Sequence, residues 1–192
     1  MKLETKRLIL RNQRLSDIDD LIEGISEYDV IKMLSNPPYP YKKKDAIAFI
    51  KSRNKKDRLK IKDSYVFAIE LKEEKKVIGA IRLHHIDFFK GTSTTGSWIN
   101  KKYWRNGYIT EAKIAMNDFA FNKLKLRRLE SEVFTNNKAS NATQLKIGYK
   151  LEGVKRKSFK SKITGKIYDV NIYGLLKEDW KKSRPKLIKQ YA

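Results

Sequence analysis

The stretch Tyr103-Trp104-Arg105-Asn106-Gly107-Tyr108-Ile109-Thr110-Glu111-Ala112 decides how this chain is read. A short basic segment with one glycine runs straight into apolar residues at Ala112, Ala115, Met116, Phe119 and Ala120. Their spacing of i, i+3, i+4, i+7 and i+8 is one face of an amphipathic helix. The stretch therefore predicts a loop whose successive backbone N–H groups open a helix. Such a turn is an anion site, because first-turn N–H groups lack intrahelical acceptors and the helix dipole is positive there. Gly107 lets the backbone come close to a ligand and take a positive φ. Arg105 adds a charge suited to phosphate oxygens. Neither G-x-x-x-x-G-K-[ST] nor G-x-G-x-x-G occurs here, so this is no P-loop and no dinucleotide fingerprint. Taken alone, the stretch reads first as an ordinary loop-to-helix junction, and its surroundings have to decide.

Upstream, residues 96–99 predict a strand, preceded by a polar loop over 87–95. Before that, 64–71 and 76–86 are β-rich runs joined by a turn at 73–75. Near the N-terminus, 7–11 predicts a strand and 16–22 opens a helix, with Ser16 at the N-cap and Asp19 at the reciprocal capping position. A short helix over 28–34 stops before Pro37, Pro38 and Pro40. Residues 45–58 predict a helix burying Ala46, Phe49 and Ile50, and its end belongs to a basic run over 51–62 that reads as a solvated face. Downstream, the helix covers 110–124, a strand covers 127–135, and a helix over 137–147 ends at Gly148 in the αL cap position. Residues 149–160 and 166–176 predict a long hairpin about Thr164-Gly165. The basic tail 181–192 contains Pro185 and is expected to fray. Strands alternating with helices late in the chain require at least one parallel pair beside antiparallel hairpins. The fold class is α/β (α+β): one domain over 1–180, with a mixed, mostly antiparallel sheet of about seven strands and helices on both faces.

The chain has 192 residues, 40% hydrophobic and 34% charged, which suits one soluble domain with a full core. No run of about 18 apolar residues is present, so no membrane span is expected. The N-terminal apolar run is too short for a signal segment, which predicts a cytoplasmic protein. Cysteine is absent, excluding disulfides, thiolate nucleophiles and thiolate metal sites, and no metal is expected. A net charge of +22 implies an anionic partner or ligand, or a surface over which lysine is simply scattered. It disfavours a polycationic substrate.

Several stretches, in order, resemble one family. Glu4-Thr5-Lys6-Arg7-Leu8-Ile9-Leu10-Arg11 resembles the opening of GNAT N-acetyltransferases of the RimJ/RimL type, which acetylate ribosomal-protein N-termini. The decisive stretch resembles their acetyl-CoA pyrophosphate loop. Asn137-Lys138-Ala139-Ser140, Gly148-Tyr149 and Glu152-Gly153 resemble their N-x-x-S, G-F and E-G segments. Tyr173-Gly174-Leu175-Leu176 with Asp179-Trp180 resembles their last strand and its exit. Two departures stand out. Ile109 replaces a small residue of the wider loop pattern and is expected to narrow the site. Thr94-Thr95-Gly96-Ser97 carries no carboxylate where the subgroup often has one.

The resemblance implies direct acetyl transfer from acetyl-CoA to a primary amine, with no acyl-enzyme, and the lack of cysteine agrees. It implies that Trp98, Ile99 and Asn100 hold the pantetheine along a strand edge and that Asn137 contacts it. Arg105, Asn106, Gly107, Tyr108, Ile109 and Thr110 would take the diphosphate. The resemblance makes Ser140, at the place where the Rim-type enzymes carry a serine, the candidate acid for the leaving thiolate, while Gln144 stands where many GNAT enzymes have a tyrosine; the other reading of Ser140 is a first-turn helix hydroxyl. The base is open: Glu130, Glu132, His84 and His85 lie on predicted strands, and alternation puts the two histidines on opposite faces. Trp98 and Tyr103 either line an acceptor tunnel or pack the core. The acceptor is a protein N-terminus, with ribosome association through the basic surface, or a small-molecule amine. A non-catalytic basic ribosome- or nucleic-acid-binding protein is the alternative of another class, although no helix-turn-helix, zinc finger or RNP aromatic pair is visible. Monomer and homodimer are both open.

Overall fold

The strands, several of them rich in β-branched and aromatic residues, are β1 (Lys2–Glu4), β2 (Leu8–Arg11), β3 (Ser64–Leu71), β4 (Lys76–Asp87), β5 (Thr92–Ile99), β6 (Arg128–Phe134), β7 (Lys150–Lys160) and β8 (Ile167–Leu176). Between them lie α1 (Ile18–Ser26), α2 (Tyr28–Ile31), α3 (Lys43–Arg58), α4 (Tyr108–Asp118), α5 (Lys138–Ile147) and α6 (Lys177–Tyr191). In this computed structural model, which describes residues 1–35, 37–58 and 63–191, the strands make one eight-stranded sheet in the order β1-β2-β3-β4-β5-β6-β8-β7. Every pairing is antiparallel except β5 with β6.

That parallel pair matters most. It runs only from Thr92↔Arg128 to Thr95↔Ser131. Beyond it, β5 continues to Ile99 and β6 to Phe134 without pairing to each other. The sheet therefore splays at the C-terminal ends of its two parallel strands, which is where open α/β sheets hold ligands.

Alternation divides the sheet into two buried faces. One carries Leu8, Leu10, Phe67, Ile81, Leu83, Leu129 and Val133 against α4, α5 and α6. The other carries Ala68 and Val77 against Ile18 and Leu21 of α1 and Ala46 and Ile50 of α3, with Trp98 packed alongside. Each large apolar side chain so enclosed contributes roughly 1.5–3 kcal/mol relative to exposure. Among the described residues no helix is long and apolar enough to cross a membrane.

Several expectations are corrected. The eighth strand is β1, three residues paired with β2 through Leu3↔Leu10. Residues 92–95 are strand, not loop: Thr-Ser-Thr-Thr has no apolar alternation, but Ser93 and Thr95 are buried and donate to the carbonyls of His84 (3.0 Å) and Glu130 (3.1 Å). The first helix is not capped by Ser16 and Asp19. Asp17 accepts the Arg14 N–H at 2.8 Å while holding Arg11 at 2.8 and 2.9 Å, and a short 3₁₀ turn, Leu15–Asp17, leads into α1. Phe49 is 41% exposed, because the buried stripe of α3 follows Ala46 and Ile50. The helix expected over 110–124 starts at Tyr108 and finishes in a π turn, Phe119–Lys123. Residues 59–62 of the basic run lie outside the described residues.

The tail expected to fray is helical through Tyr191, with Pro185 inside it. Trp180 and Leu187 are buried in the core. Trp180 Nε1 donates to Asp118 at 3.0 Å, and Arg184 grips both oxygens of Asp118 at 2.7 and 2.9 Å. These anchors lie too far from the tail in sequence to be read from its own composition. Trp180→Ala should cost about 3–5 kcal/mol in denaturant unfolding; a midpoint unchanged from the parent protein would contradict this role for α6.

Candidate active site

The site begins where β5 ends. Asn100 is buried and caps a 3₁₀ turn by accepting the Lys102 N–H at 3.0 Å, and its own N–H donates to Ile78 at 2.8 Å. Trp104 is 40% exposed and donates its indole N–H to the Ile99 carbonyl at 2.9 Å. Arg105 and Gly107 then both take positive φ, 65° and 76°, and Gly107 is the N-cap of α4. A left-handed glycine costs no Cβ clash, so the turn can be this tight.

A long-range clamp fixes the loop. Glu111, 1% exposed, accepts from the Thr5 hydroxyl (2.6 Å), the Arg7 N–H (2.8 Å) and Arg7 Nε (2.7 Å). Arg7 Nη1 in turn donates to the Asn106 carbonyl at 3.0 Å, and its guanidinium lies 4.4 Å from the Tyr108 ring centroid. The first helical bond runs from Glu111 to the Gly107 carbonyl at 3.0 Å. With both carbonyls drawn back, the N–H groups of Tyr108, Ile109 and Thr110 have no acceptor among the described residues. They sit at the splayed end of the sheet as a set of free donors. Ile109 packs against the core cluster, so its bulk is directed into the protein. Tyr191 of α6 covers the α-carbon of Gly107: a Cβ there would lie 2.9 Å from Tyr191 Cε1.

The floor of the splay is a buried polar network that the sequence did not reveal. Gln144 of α5 donates to Ser131 Oγ at 2.7 Å and accepts from Lys113 Nζ at 3.3 Å. Thr95 meets the Tyr149 hydroxyl at 3.3 Å. Burial pushes Lys113 down to about 8 and the Tyr149 phenol up. The amide of Gln144 thus ties α5 to β6.

Ser140 and Asn137 stand at the start of α5. Asn137 Oδ1 accepts the Ser140 N–H at 3.1 Å, capping the helix, while the Ser140 hydroxyl is half-buried and has no partner among the described residues. Asn141, missed by sequence reasoning, pins this corner. Its amide donates to the Phe134 (3.0 Å) and Asn137 (2.8 Å) carbonyls, and its oxygen accepts from Asn171 and Tyr173 at 2.7 Å each. Trp98 packs under α1 against Gly24, and Tyr103 donates to Glu74 at 2.5 Å. Trp98 therefore serves the core beside the splay.

The histidines are a correction. His85 adopts φ 52° at an irregularity between His84 and Asp87, so alternation fails and the two rings meet at 4.5 Å. Burial, with Arg82 and His85 nearby, holds His84 down at about 4, so it is neutral at pH 7. Glu130 and Glu132 share the sheet face opposite α4, but each is ion-paired: Glu130 to Arg128 at 2.9 Å and Glu132 to Lys155 at 2.6 Å.

Comparison with known proteins agrees with this geometry. The family described as "Acetyltransferase (GNAT) domain" matches residues 7–150. The uncharacterized N-acetyltransferase p20 of Bacillus licheniformis is 29% identical over 180 residues, covering 93% of this chain and 97% of its own. Among solved structures, the ribosomal-protein-S5-alanine acetyltransferase of Vibrio fischeri superposes with a TM-score of 0.80 at 16% identity, covering 94% of this chain and 98% of that one. The microcin C7 self-immunity acetyltransferase MccE, solved with acetyl-CoA and AMP, gives 0.76 at 24% identity, covering 90% and 93%. At these identities the two structures establish likeness of fold.

Glu111→Gln should weaken acetyl-CoA binding by about tenfold and cost about 1–3 kcal/mol of stability, through loss of the charged acceptor. Calorimetry and denaturant unfolding test this, and unchanged affinity would dissociate the clamp from the loop. Between pH 8 and 10.5 the unfolded chain binds more protons at Lys113 than the folded one, so this group's penalty is full below pH 8 and fades as pH rises. Lys113→Met should therefore be more stable relative to the parent at pH 7 than at pH 10.5; an equal difference at both would refute a depressed lysine.

Proposed function

The chain belongs to the GNAT acetyltransferase family, and from that premise we propose that it transfers the acetyl group of acetyl-CoA to the α-amino group of a protein N-terminus, of the ribosomal-protein type. The observation that carries the cofactor reading is the row of unengaged N–H groups at Tyr108, Ile109 and Thr110 beside the splay. Donors of this kind suit a diphosphate whatever their side chains, and Arg105 lies next to them. When bound, acetyl-CoA supplies an activated thioester whose C–S bond breaks as the amide forms. The diverging edge of β5 at Trp98, Ile99 and Asn100, together with Asn137, would hold the pantetheine arm.

In this reading Ser140 keeps a proton on Oγ for the departing sulfur, because its hydroxyl, at the start of α5, has no partner among the described residues. The acceptor's own proton needs no strong base. An α-amino group has pKa near 8, against about 10.4 for lysine, so much of it is already neutral at pH 7 to 8. That fits a site whose nearby carboxylates are ion-paired and whose His84 is too weakly basic to deprotonate a lysine. The fold neighbour from Vibrio fischeri, a ribosomal-protein-S5-alanine acetyltransferase, supports the same acceptor class. The charge of +22 supports association with the ribosome, whose RNA is anionic.

Thiol release should be followed with a panel of N-terminal peptides and small amines. Peptide α-amines are expected to be the better acceptors, and a preference for amines lacking any peptide bond would replace this reading with small-molecule acetylation. Ser140→Ala should lower kcat by about 10²-fold or more, with acetyl-CoA affinity changed less than about twofold; unchanged turnover would clear Ser140 of the acid role.

A further inference from the structure

Arg82 of β4 lies directly across from Gly96 of β5. It alternates with Ile81 and Leu83, which face α4, so it belongs to the opposite face of the sheet. Because Gly96 has no side chain, Arg82 lies over its backbone: a Cβ built there would sit 2.9 Å from Nε and 3.7 Å from Cζ. Gly96 is the first residue of β5 past the last pairing with β6, Thr95↔Ser131. The guanidinium is therefore at the lip of the splay, on the face away from the loop helix.

Arg82 has no ion pair or hydrogen bond among the described residues. Two other arginines rising from this sheet each hold two carboxylates: Arg11 has Asp17 and Glu70, and Arg128 has Glu130 and Glu152. No such partner is available at the lip. β5 carries no acid, Glu130 and Glu132 are already taken by Arg128 and Lys155, and His84 on the same face is neutral at pH 7. Arg82 is exposed as a residue, yet burial around its guanidinium lowers its pKa. A partly desolvated guanidinium without a counter-charge is suited to a carboxylate, which it can hold through two parallel N–H donors.

We propose that Arg82 anchors the acceptor, and that the amine acetylated here carries a carboxylate close to the reacting nitrogen. This rests on the acetyl-transfer reading and narrows it: for a protein N-terminus, the second residue is acidic. Gly96 lets Arg82 lie this close over β5, since a Cβ there would make the guanidinium shift. The positive field of the whole chain favours the same acceptors.

The test compares two peptides differing only in Asp or Asn at the second position, at fixed ionic strength, in the wild type and in Arg82→Gln. The wild type should favour the Asp peptide by about tenfold or more in kcat/KM, as loss of one charge-assisted pair implies. Arg82→Gln should bring the ratio to about one, Arg82→Lys should keep part of it, and acetyl-CoA affinity by calorimetry should not move. If peptides are not acetylated, the same comparison with an amino acid and its amide tests the anchor, and its success there would remove the protein N-terminus while keeping Arg82. Calorimetric binding of each pair gives the comparison without turnover. Equal use or binding of the two members by the wild type, or selectivity that survives Arg82→Gln, overturns the proposal.

Discussion

A buried carboxylate holds this site together. Glu111 sits in the first turn of α4 and is satisfied entirely from the N-terminal segment, by the Thr5 hydroxyl and by Arg7 through both backbone and guanidinium. Such a charge is tolerated only because its acceptors are filled; removing a partner from a buried pair typically costs about 3–5 kcal/mol. The same arginine reaches on to the Asn106 carbonyl. One interaction thus fixes the helix start, engages the Asn106 carbonyl and leaves the next amides without an acceptor among the described residues. Preorganised donors bind an anion without the cost of ordering a loop first.

The splay of β5 and β6 supplies the complementary half. Parallel pairing stops at Thr95 and Ser131, where buried hydroxyls and Gln144 take over from backbone bonding. Above that floor an extended ligand has strand edges to lie along, with the loop of α4 at one side and Ser140 at another. On the far face of the sheet Arg82 lies over Gly96. In the proposed reading, cofactor and acceptor would approach one opening from opposite faces, as direct transfer requires.

Much of this was legible in the sequence because it depends on local chemistry. Gly107 and Gly148 mark left-handed caps, φ 76° and 107°, and the apolar period after Gly107 gave α4. The hairpin of β7 and β8 and the strands β2, β3 and β4 followed from composition and turn residues. What escaped depends on partners far along the chain. Thr92–Thr95 becomes strand only because neighbours on both sides pair with it. α6 is fixed by Asp118, some sixty residues away, rather than by its own lysine-rich composition. Alternation misplaced His85 because a positive φ inside a strand has no signature in a non-glycine residue. Arg7 and Glu111 stood in two stretches already singled out, but only the folded chain brings them together.

The most direct test of the account follows backbone amide NMR signals during titration with acetyl-CoA. The largest shifts should fall on Gly107, Tyr108, Ile109 and Thr110, since the N–H groups opening α4 would gain an acceptor they lack in the free protein. Saturable binding that left those signals in place, or no binding at millimolar ligand, would contradict it.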